Sequence, residues 1–199
     1  MSKDWTGNYN SIYRTLGASN HTDYERAEHD YYATDPDAVR ELLKVESFHP
    51  DIWEPACGEL HISKVLKSAG YKVFNSDIAY RGYEDKVVNF LETGEKDLDV
   101  DIITNPPYYK AKEFVEKALA TVSNGHKVAM LLKLTFLEGQ KRGELFDTNP
   151  PKKVYVFRKR TECVLNGDWG NAGVKAVAYA WFVWEKGFTG KPTINWVKR

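Results

Sequence analysis

The sequence has few of the features that mark secreted, membrane or metal-binding proteins. Its 199 residues include two cysteines, Cys57 and Cys163, whose separation matches no metal-ligand spacing. No run of about eighteen apolar residues occurs, so no transmembrane helix is expected. The polar N-terminus has no signal-peptide pattern. We therefore expect a cytoplasmic protein in a reducing compartment, with no bound metal and no membrane partner.

Net charge is also absent, because 28 basic residues balance 28 acidic ones. This balance neither indicates nor excludes a nucleic-acid partner. The charges are unevenly placed, however, since residues 152–160 contain five basic residues and no acid. A neutral protein can still present one basic face to nucleic acid. A solvated strand end is the alternative interpretation of this segment.

The residues that are present predict one α/β domain. Hydrophobic residues make up 42% of the chain, which is enough for a core, and no internal repeat occurs. Residues 1–30 lack periodicity and are predicted to form an N-terminal arm; residues 31–199 form the domain. Strands are predicted at residues 51–54, 71–76, 86–90, 100–104, 127–134, 154–157 and 176–184. Helices are predicted after Asp35-Pro36, at 59–69 and 110–122, and partly at 136–146.

This alternation predicts a Rossmann-like fold. We expect a mostly parallel seven-stranded sheet with helices on both faces. The last two predicted strands have no helix between them, so they form an antiparallel hairpin. A loop rich in Gly and Asn, residues 166–173, separates them.

A candidate ligand site lies where the first two strands of the sheet end. The turn Glu54-Pro55-Ala56-Cys57-Gly58 follows the first of them, and Asp77 ends the second. In doubly wound sheets this edge binds ligands, and an acid about twenty residues after the turn accepts ribose hydroxyls. Gly58 lets the backbone approach a ligand closely. The alternatives are a simple tight turn and a capping aspartate.

A candidate catalytic segment, Asn105-Pro106-Pro107-Tyr108, follows the fourth strand. The exocyclic amine of adenine is a poor nucleophile, because its lone pair is delocalised into the ring. The Asn105 side-chain oxygen and the Pro106 carbonyl would accept its two N–H groups and free that lone pair. The prolines hold these acceptors rigidly. Tyr108 offers a flat face on which a flipped base can stack.

These segments resemble the adenine-N6 methyltransferases. Residues 54–58 look like that family's first cofactor motif, which cups the methionine end of S-adenosylmethionine. Residues 32–36 are similar to its N-terminal motif, whose threonine or amides meet the cofactor carboxylate. Asn89-Phe90-Leu91 stands where the family usually has Asp-Phe-Leu around the adenine. The resemblance therefore implies cofactor contacts from Tyr32, Thr34, Glu54, Pro55, Ala56, Cys57, Gly58, Asp77, Ile78, Asn89, Phe90 and Asn105.

Residues 131–139, 150–157 and 178–184 resemble small phage-type DNA adenine methyltransferases, so the likeness covers most of the chain from Tyr31 onwards. It implies a class I methyltransferase fold, S-adenosylmethionine as cofactor and DNA as partner. The implied phosphate contacts are Lys110, Lys141, Arg142, Arg158, Lys159 and Arg160. The segment Asp168-Trp169-Gly170 is a further candidate for holding a base or the DNA backbone. Trp181, Phe182 and Trp184 are interpreted as core residues.

Other functions stay open. An RNA adenine methyltransferase carries the same tetrapeptide, and so does a protein glutamine methyltransferase. The glutamine enzymes usually have a helical substrate-binding domain before the cofactor motif, where this chain has some thirty residues. A cofactor-binding module without catalysis, acting in nucleic-acid binding or assembly, is favoured weakly by two departures from the family: Leu60 for a glycine and Asn89 for an acid. Without a separate recognition domain, we expect short-site specificity.

Overall fold

The computed structural model describes residues 31–161, 163–165 and 177–198. The predicted N-terminal arm and the loop at 166–173 lie outside these residues. The strands within the described part are β1 Tyr32–Thr34, β2 Asp51–Glu54, β3 Lys72–Asp77, β4 Lys86–Val87, β5 Asp101–Thr104, β6 Lys127–Lys133, β7 Lys153–Phe157, β8 Cys163–Leu165, β9 Tyr179–Glu185 and β10 Thr193–Val197. The helices there are α1 Pro36–Leu43, α2 His61–Ser68, α3 Ala111–Thr121 and α4 Gly143–Thr148.

One large sheet has the strand order β10-β7-β9-β6-β5-β2-β3-β4. All neighbours in it are parallel except at β9, which runs antiparallel to both β6 and β7. This confirms the predicted α/β sheet with an antiparallel C-terminal pair. The sheet has eight strands within the described residues and not the predicted seven, because β10 pairs in parallel with the edge strand β7. The prediction missed β10, a five-residue strand whose two large apolar side chains, Ile194 and Trp196, are exposed and do not join either core.

Helices cover both faces of the sheet, as predicted. One core cluster packs α3 and α4 against residues such as Trp53, Ile102 and Phe182. The other packs α1 and α2 against residues such as Ile103 and Trp181. The alternating side chains of β9 therefore fill both cores, and Trp181, Phe182 and Trp184 are at most 1% exposed. Their interpretation as core residues is confirmed.

A second, two-stranded ladder joins β1 and β8. The two strands are antiparallel, with Thr34 directly opposite Cys163. The sequence did not predict this pairing, because two three-residue strands separated by about 130 positions leave no periodic signal.

The predicted ends of several helices and strands are confirmed or corrected by the structure. Helix α1 begins at Pro36, and the Asp35 side chain accepts from the Asp37 amide at 2.9 Å. Helix α2 begins two residues later than predicted. The predicted third strand shortens to Lys86–Val87, because Asn89 caps a 3-10 turn over Phe90–Glu92. No helix in the described part of the chain is long and apolar enough to cross a membrane.

Candidate active site

A cleft opens at the edge of the sheet where β2, β3 and β5 end. The predicted residues that line it are Tyr32, Thr34, Glu54, Pro55, Ala56, Cys57, Asp77, Ile78, Asn89, Phe90, Asn105, Pro107 and Lys110. Residues that line it without having been predicted include Tyr31, His61, Arg81 and Tyr109. Three further predicted residues, Gly58, Pro106 and Tyr108, are not among the residues that line it. The fold thus brings the cofactor motif and the catalytic motif to one cleft.

The Asp77 carboxylate accepts a hydrogen bond from the turn that follows β2. One carboxylate oxygen accepts from the Gly58 amide at 2.9 Å, and the other accepts from the Ala79 amide at 3.0 Å. Arg81 lies nearby, with its Nε 4.0 Å from the carboxylate. Each carboxylate oxygen has two lone pairs, so each keeps one for a ligand hydroxyl. The carboxylate is therefore fixed in place and still able to accept a diol.

Gly58 cannot be replaced by a larger residue without displacing Tyr31. Its φ is +50°, a left-handed conformation that favours glycine. A Cβ atom there would overlap the Tyr31 ring. The Arg81 guanidinium lies 4.4 Å from the centre of that ring, and the Tyr31 hydroxyl lies 3.3 Å from His61 Nδ1. Burial raises the pKa of Tyr31 to about 12, so its hydroxyl stays protonated. Tyr31 was missed because it directly precedes the predicted motif.

Glu54 lies in a buried hydrogen-bond network under the cofactor turn. The Ser63 hydroxyl contacts both the Glu54 carboxyl group and the Asn75 side-chain oxygen. The Asn75 side-chain nitrogen donates to Asp85 at 3.2 Å, which fixes the amide oxygen toward Ser63. One hydroxyl proton cannot serve two acceptors, so a protonated Glu54 completes the chain. Burial raises the pKa of Glu54 to about 8, which agrees with a neutral carboxyl group.

Asn89 and Phe90 are mainly structural in the free protein. The Asn89 oxygen accepts from the Leu91 amide at 3.2 Å, and its nitrogen donates to Glu92 at 2.7 Å. The Phe90 ring is 1% exposed and packs at 5.2 Å against both Trp53 and Phe114. Both residues still line the cleft, and the predicted adenine contacts stay predictions.

Leu60 is the position where the resembling family often has a second glycine. Its φ is +65°, again in the left-handed region. A leucine is strained in this conformation, by about 1–2 kcal/mol. The departure from the family pattern therefore keeps the backbone geometry of a glycine.

Asn105 has a defined side-chain orientation. Its Nδ2 donates to the Tyr32 carbonyl at 2.9 Å and to the Thr34 hydroxyl at 3.1 Å, and lies 3.9 Å from Cys163 Sγ. The Tyr32 carbonyl can only accept, so it selects the nitrogen side of the amide. The Asn105 Oδ1 atom is buried and has no hydrogen-bond partner among the described residues. A buried, unpaired acceptor at the cleft is the arrangement that a ligand N–H group completes.

The two tyrosines after the prolines face different surroundings. Tyr108 is half-buried, with ring centres of Tyr32 at 5.4 Å and Tyr179 at 5.7 Å. Its hydroxyl lies buried toward Cys163, and burial raises the Tyr108 pKa well above its usual value. Tyr109 is 55% exposed and lines the cleft. Stacking of a base on Tyr108 stays a prediction, and Tyr109 is a second aromatic surface that the sequence reasoning missed.

The predicted phosphate contacts near the cleft differ in their availability. Lys110 lines the cleft and pairs with Glu113 at 3.3 Å. Lys141 is exposed. The Arg142 guanidinium donates to two carbonyls of its own turn and lies 4.9 Å from the Phe136 ring centre. Arg142 therefore also serves to close that turn.

The remaining cations gather at the end of β7. Arg158, Lys159 and Arg160 are exposed there, and the exposed Lys198 directly follows the parallel neighbour β10. Strand β9 is antiparallel to both β7 and β6, and β6 is parallel to β5. Strand β7 therefore runs in the same direction as β5, and these cations lie at the same sheet edge as Asn105. The candidate segment 168–170 lies outside the described residues.

Comparison with known proteins identifies the fold. No protein-family model and no curated protein matches the sequence. A structure from Pyrococcus horikoshii, provisionally named an RNA methyltransferase, aligns with a TM-score of 0.60 and 13% identity over 90% of this chain and 98% of its own. A provisional class I S-adenosylmethionine-dependent methyltransferase from Listeria monocytogenes aligns at 0.54 and 14% over 94% and 71%. This protein has the class I methyltransferase fold.

The same fold carries other names as well. A Lactococcus lactis protein provisionally named a hemolysin aligns at a TM-score of 0.57 with 10% identity, over 86% of this chain and 95% of its own. At such identities the likeness establishes the fold alone, so activity must be inferred from the cleft.

Proposed function

We propose that this protein transfers a methyl group from S-adenosylmethionine to the exocyclic N6 amine of adenine in DNA. The observation that carries this proposal is the Asn105 amide. Its nitrogen is held by the protein, while its oxygen is buried at the cleft without a partner. An acceptor prepared in this way matches one N–H donor of an amino group.

The residues of the cleft fit the proposed cofactor. Asp77 keeps a free lone pair on each oxygen for the ribose hydroxyls, and Pro55, Ala56 and Cys57 of the turn after β2 line the cleft. Ile78 and Phe90 offer apolar surface for an adenine ring, with the Asn89 oxygen close by. S-adenosylmethionine supplies an electrophilic methyl group on a positively charged sulfur.

The protein's own part in the reaction is to orient and polarise the amine. The Asn105 oxygen and the Pro106 carbonyl accept its two N–H groups and draw the nitrogen toward tetrahedral geometry. With S-adenosylmethionine bound, the freed lone pair would take up the methyl group, the carbon–sulfur bond would release a neutral thioether, and the methylated nitrogen would lose its extra proton to solvent. Fixed acceptors at a developing positive charge need no reorganisation during the reaction. Alignment of the two reactants supplies further acceleration.

DNA is proposed as the substrate on two grounds. Residues 131–139, 150–157 and 178–184 resemble phage-type DNA adenine methyltransferases. Exposed cations at the end of β7 and β10 share the cleft's edge of the sheet, where they would meet phosphates. A base inside a duplex must be flipped out to reach the cleft, and Tyr108 and Tyr109 are the aromatic surfaces for stacking it.

The decisive experiment offers the protein labelled S-adenosylmethionine with separate pools of DNA, RNA and protein. We expect N6-methyladenine in the DNA pool, identified by mass spectrometry after digestion. Asn105→Ala should lower the rate by about a hundredfold or more, because one preorganised acceptor is lost. Asn124→Ala is the matched control, since Asn124 is exposed before β6 at the opposite edge of the sheet.

Each other outcome has a definite meaning. Label confined to RNA or to protein would replace the DNA assignment with one of those substrates. Binding of the cofactor without label in any pool would overturn the enzymatic proposal and favour a cofactor-binding module.

A further inference from the structure

The ladder of β1 and β8 brings three polar atoms to one side of Asn105. Tyr32 and Thr34 belong to β1, and Cys163 stands opposite Thr34 on β8. Their carbonyl, hydroxyl and thiol groups lie 2.9, 3.1 and 3.9 Å from Asn105 Nδ2. The ladder is separate from the main sheet, so it has no part in continuing the strand order. It contacts Asn105, the first residue of the tetrapeptide that follows β5.

Two of these atoms account for both protons of the Asn105 amide. A side-chain amide has two N–H donors, and the carbonyl and the hydroxyl accept one each. Thr34 is 3% exposed, so water does not readily replace its hydroxyl. Burial raises the pKa of Cys163 to about 12, so the thiol stays neutral and does not attract the amide as an anion would.

The Tyr32 carbonyl, which can only accept, selects this orientation of the amide, and the Thr34 hydroxyl fixes the second N–H group in it. A half-turn about its terminal bond would place Oδ1 against the Tyr32 carbonyl, and two acceptors facing each other lose a hydrogen bond and repel. We infer that Thr34 is a positioning residue for Asn105, and that its hydroxyl holds the amide so that Oδ1 faces the substrate amine. This inference rests on the proposed function and changes the role of Thr34 implied by the family resemblance, which was to meet the cofactor carboxylate.

Two variants of Thr34 separate these roles. Thr34→Val keeps the size and branching of the side chain but removes the hydroxyl, and Thr34→Ser keeps the hydroxyl. We expect Thr34→Val to lower kcat by about threefold to tenfold, the range for one lost hydrogen bond. The Kd for S-adenosylmethionine, measured by calorimetry, should stay within about twofold. Thr34→Ser should restore kcat.

The contrary result is equally specific. A tenfold weaker Kd for the cofactor in Thr34→Val with an unchanged kcat would make Thr34 a cofactor ligand and overturn the inference. If Thr34→Val does not fold, Thr34→Ala removes the same hydroxyl in a smaller side chain, with the same expected loss of kcat and an unchanged cofactor Kd. An unchanged kcat in a folded Thr34→Ala variant would then count against the positioning role.

A measurement without substrate separates this inference from the proposed function. Hydrogen exchange of the Asn105 side-chain amide, followed by NMR on the free protein, should be slow in the native protein and in Thr34→Ser. It should be faster in Thr34→Val. This pattern in a protein that methylates no pool would sustain the positioning role and reject the activity. Equal exchange in all three proteins would overturn the positioning role alone.

Discussion

The two sides of the cleft are prepared in different ways. On the cofactor side, at the ends of β2 and β3, the polar groups already have protein partners. Asp77 accepts from Gly58 and Ala79, and Glu54 is joined to Ser63. On the substrate side, beyond β5, the Asn105 oxygen is buried without a partner among the described residues. Exposed cations follow β7 and β10 on the same side.

This difference separates a scaffold from a reactive group. Hydrogen bonds to the cofactor turn hold its backbone in the ligand-ready form, which lowers the entropy that binding costs. A buried acceptor without a partner costs about 1–3 kcal/mol. Such a cost persists in a native fold where a ligand or a reacting group removes it. In the proposed reaction, the substrate amine would supply the partner that Asn105 Oδ1 lacks among the described residues.

We expect the largest effect at Glu54, where a substitution tests whether the hydrogen bonds of the cofactor side require a neutral carboxyl group. The free acid loses its proton near its ordinary pKa of 4.5 in the unfolded chain, whereas the folded protein keeps it to about pH 8. Unfolding then releases a proton in that window, so the free energy of unfolding of the native protein falls as pH rises from about 5 to 8.

Glu54→Gln removes this pH dependence, because glutamine is neutral and its side-chain nitrogen can donate to Ser63. Its stability relative to the native protein should grow from about pH 5 to about pH 8 and then level off. Urea unfolding across that range measures it, with the exposed Glu116→Gln on α3 as control. Parallel curves for native protein and Glu54→Gln would mean that Glu54 is ionised in the fold.

Asp77→Asn tests whether the cofactor side contributes to S-adenosylmethionine affinity and not to DNA affinity. The change removes a charge and turns one acceptor into a donor, so the Gly58 or Ala79 amide loses its partner. We expect S-adenosylmethionine to bind about tenfold to a hundredfold more weakly, as for hydrogen bonds to a charged group. DNA affinity should change by less than about twofold. Calorimetry with each ligand measures both, and an equal loss for DNA would erase the distinction between the sides.

The sequence predicted the fold where the chain is periodic. Apolar runs such as residues 127–134 gave the central strands, and the Asp35-Pro36 cap gave the start of α1. The edge strand β10 and the ladder of β1 and β8 were missed. Their pairing depends on partners that distant parts of the chain supply, and short strands have no periodicity of their own.

The site was predictable in its residues and not in their partners. Motif spacing placed Asp77, Cys57 and Asn105 at one cleft. The contact between Asn105 and Thr34 spans 71 positions, and only the folded chain brings them together. Tyr31, which packs over Gly58, and Arg81, which packs over the Tyr31 ring, belong to no predicted motif. Long-range packing thus determines what each predicted residue contacts.

The smallest effect should come from the exposed cations on the substrate side. Arg158→Gln removes one charge at the end of β7, where the side chain is exposed and pairs with no acid among the described residues. We expect DNA affinity to fall by about threefold and the slope of log affinity against log salt to become shallower by about one unit. Cofactor affinity and kcat should not change.

Lys72→Gln is the matched control for this loss of charge, since Lys72 is exposed at the start of β3, at the opposite edge of the sheet. Equal salt slopes for Arg158→Gln and the native protein would remove Arg158 from the DNA surface. Equal losses in Arg158→Gln and Lys72→Gln would mean that net charge, and not a contact at the cleft's edge, governs binding. A loss of DNA affinity confined to Arg158→Gln would indicate that the DNA backbone binds at the same edge of the sheet as Asn105.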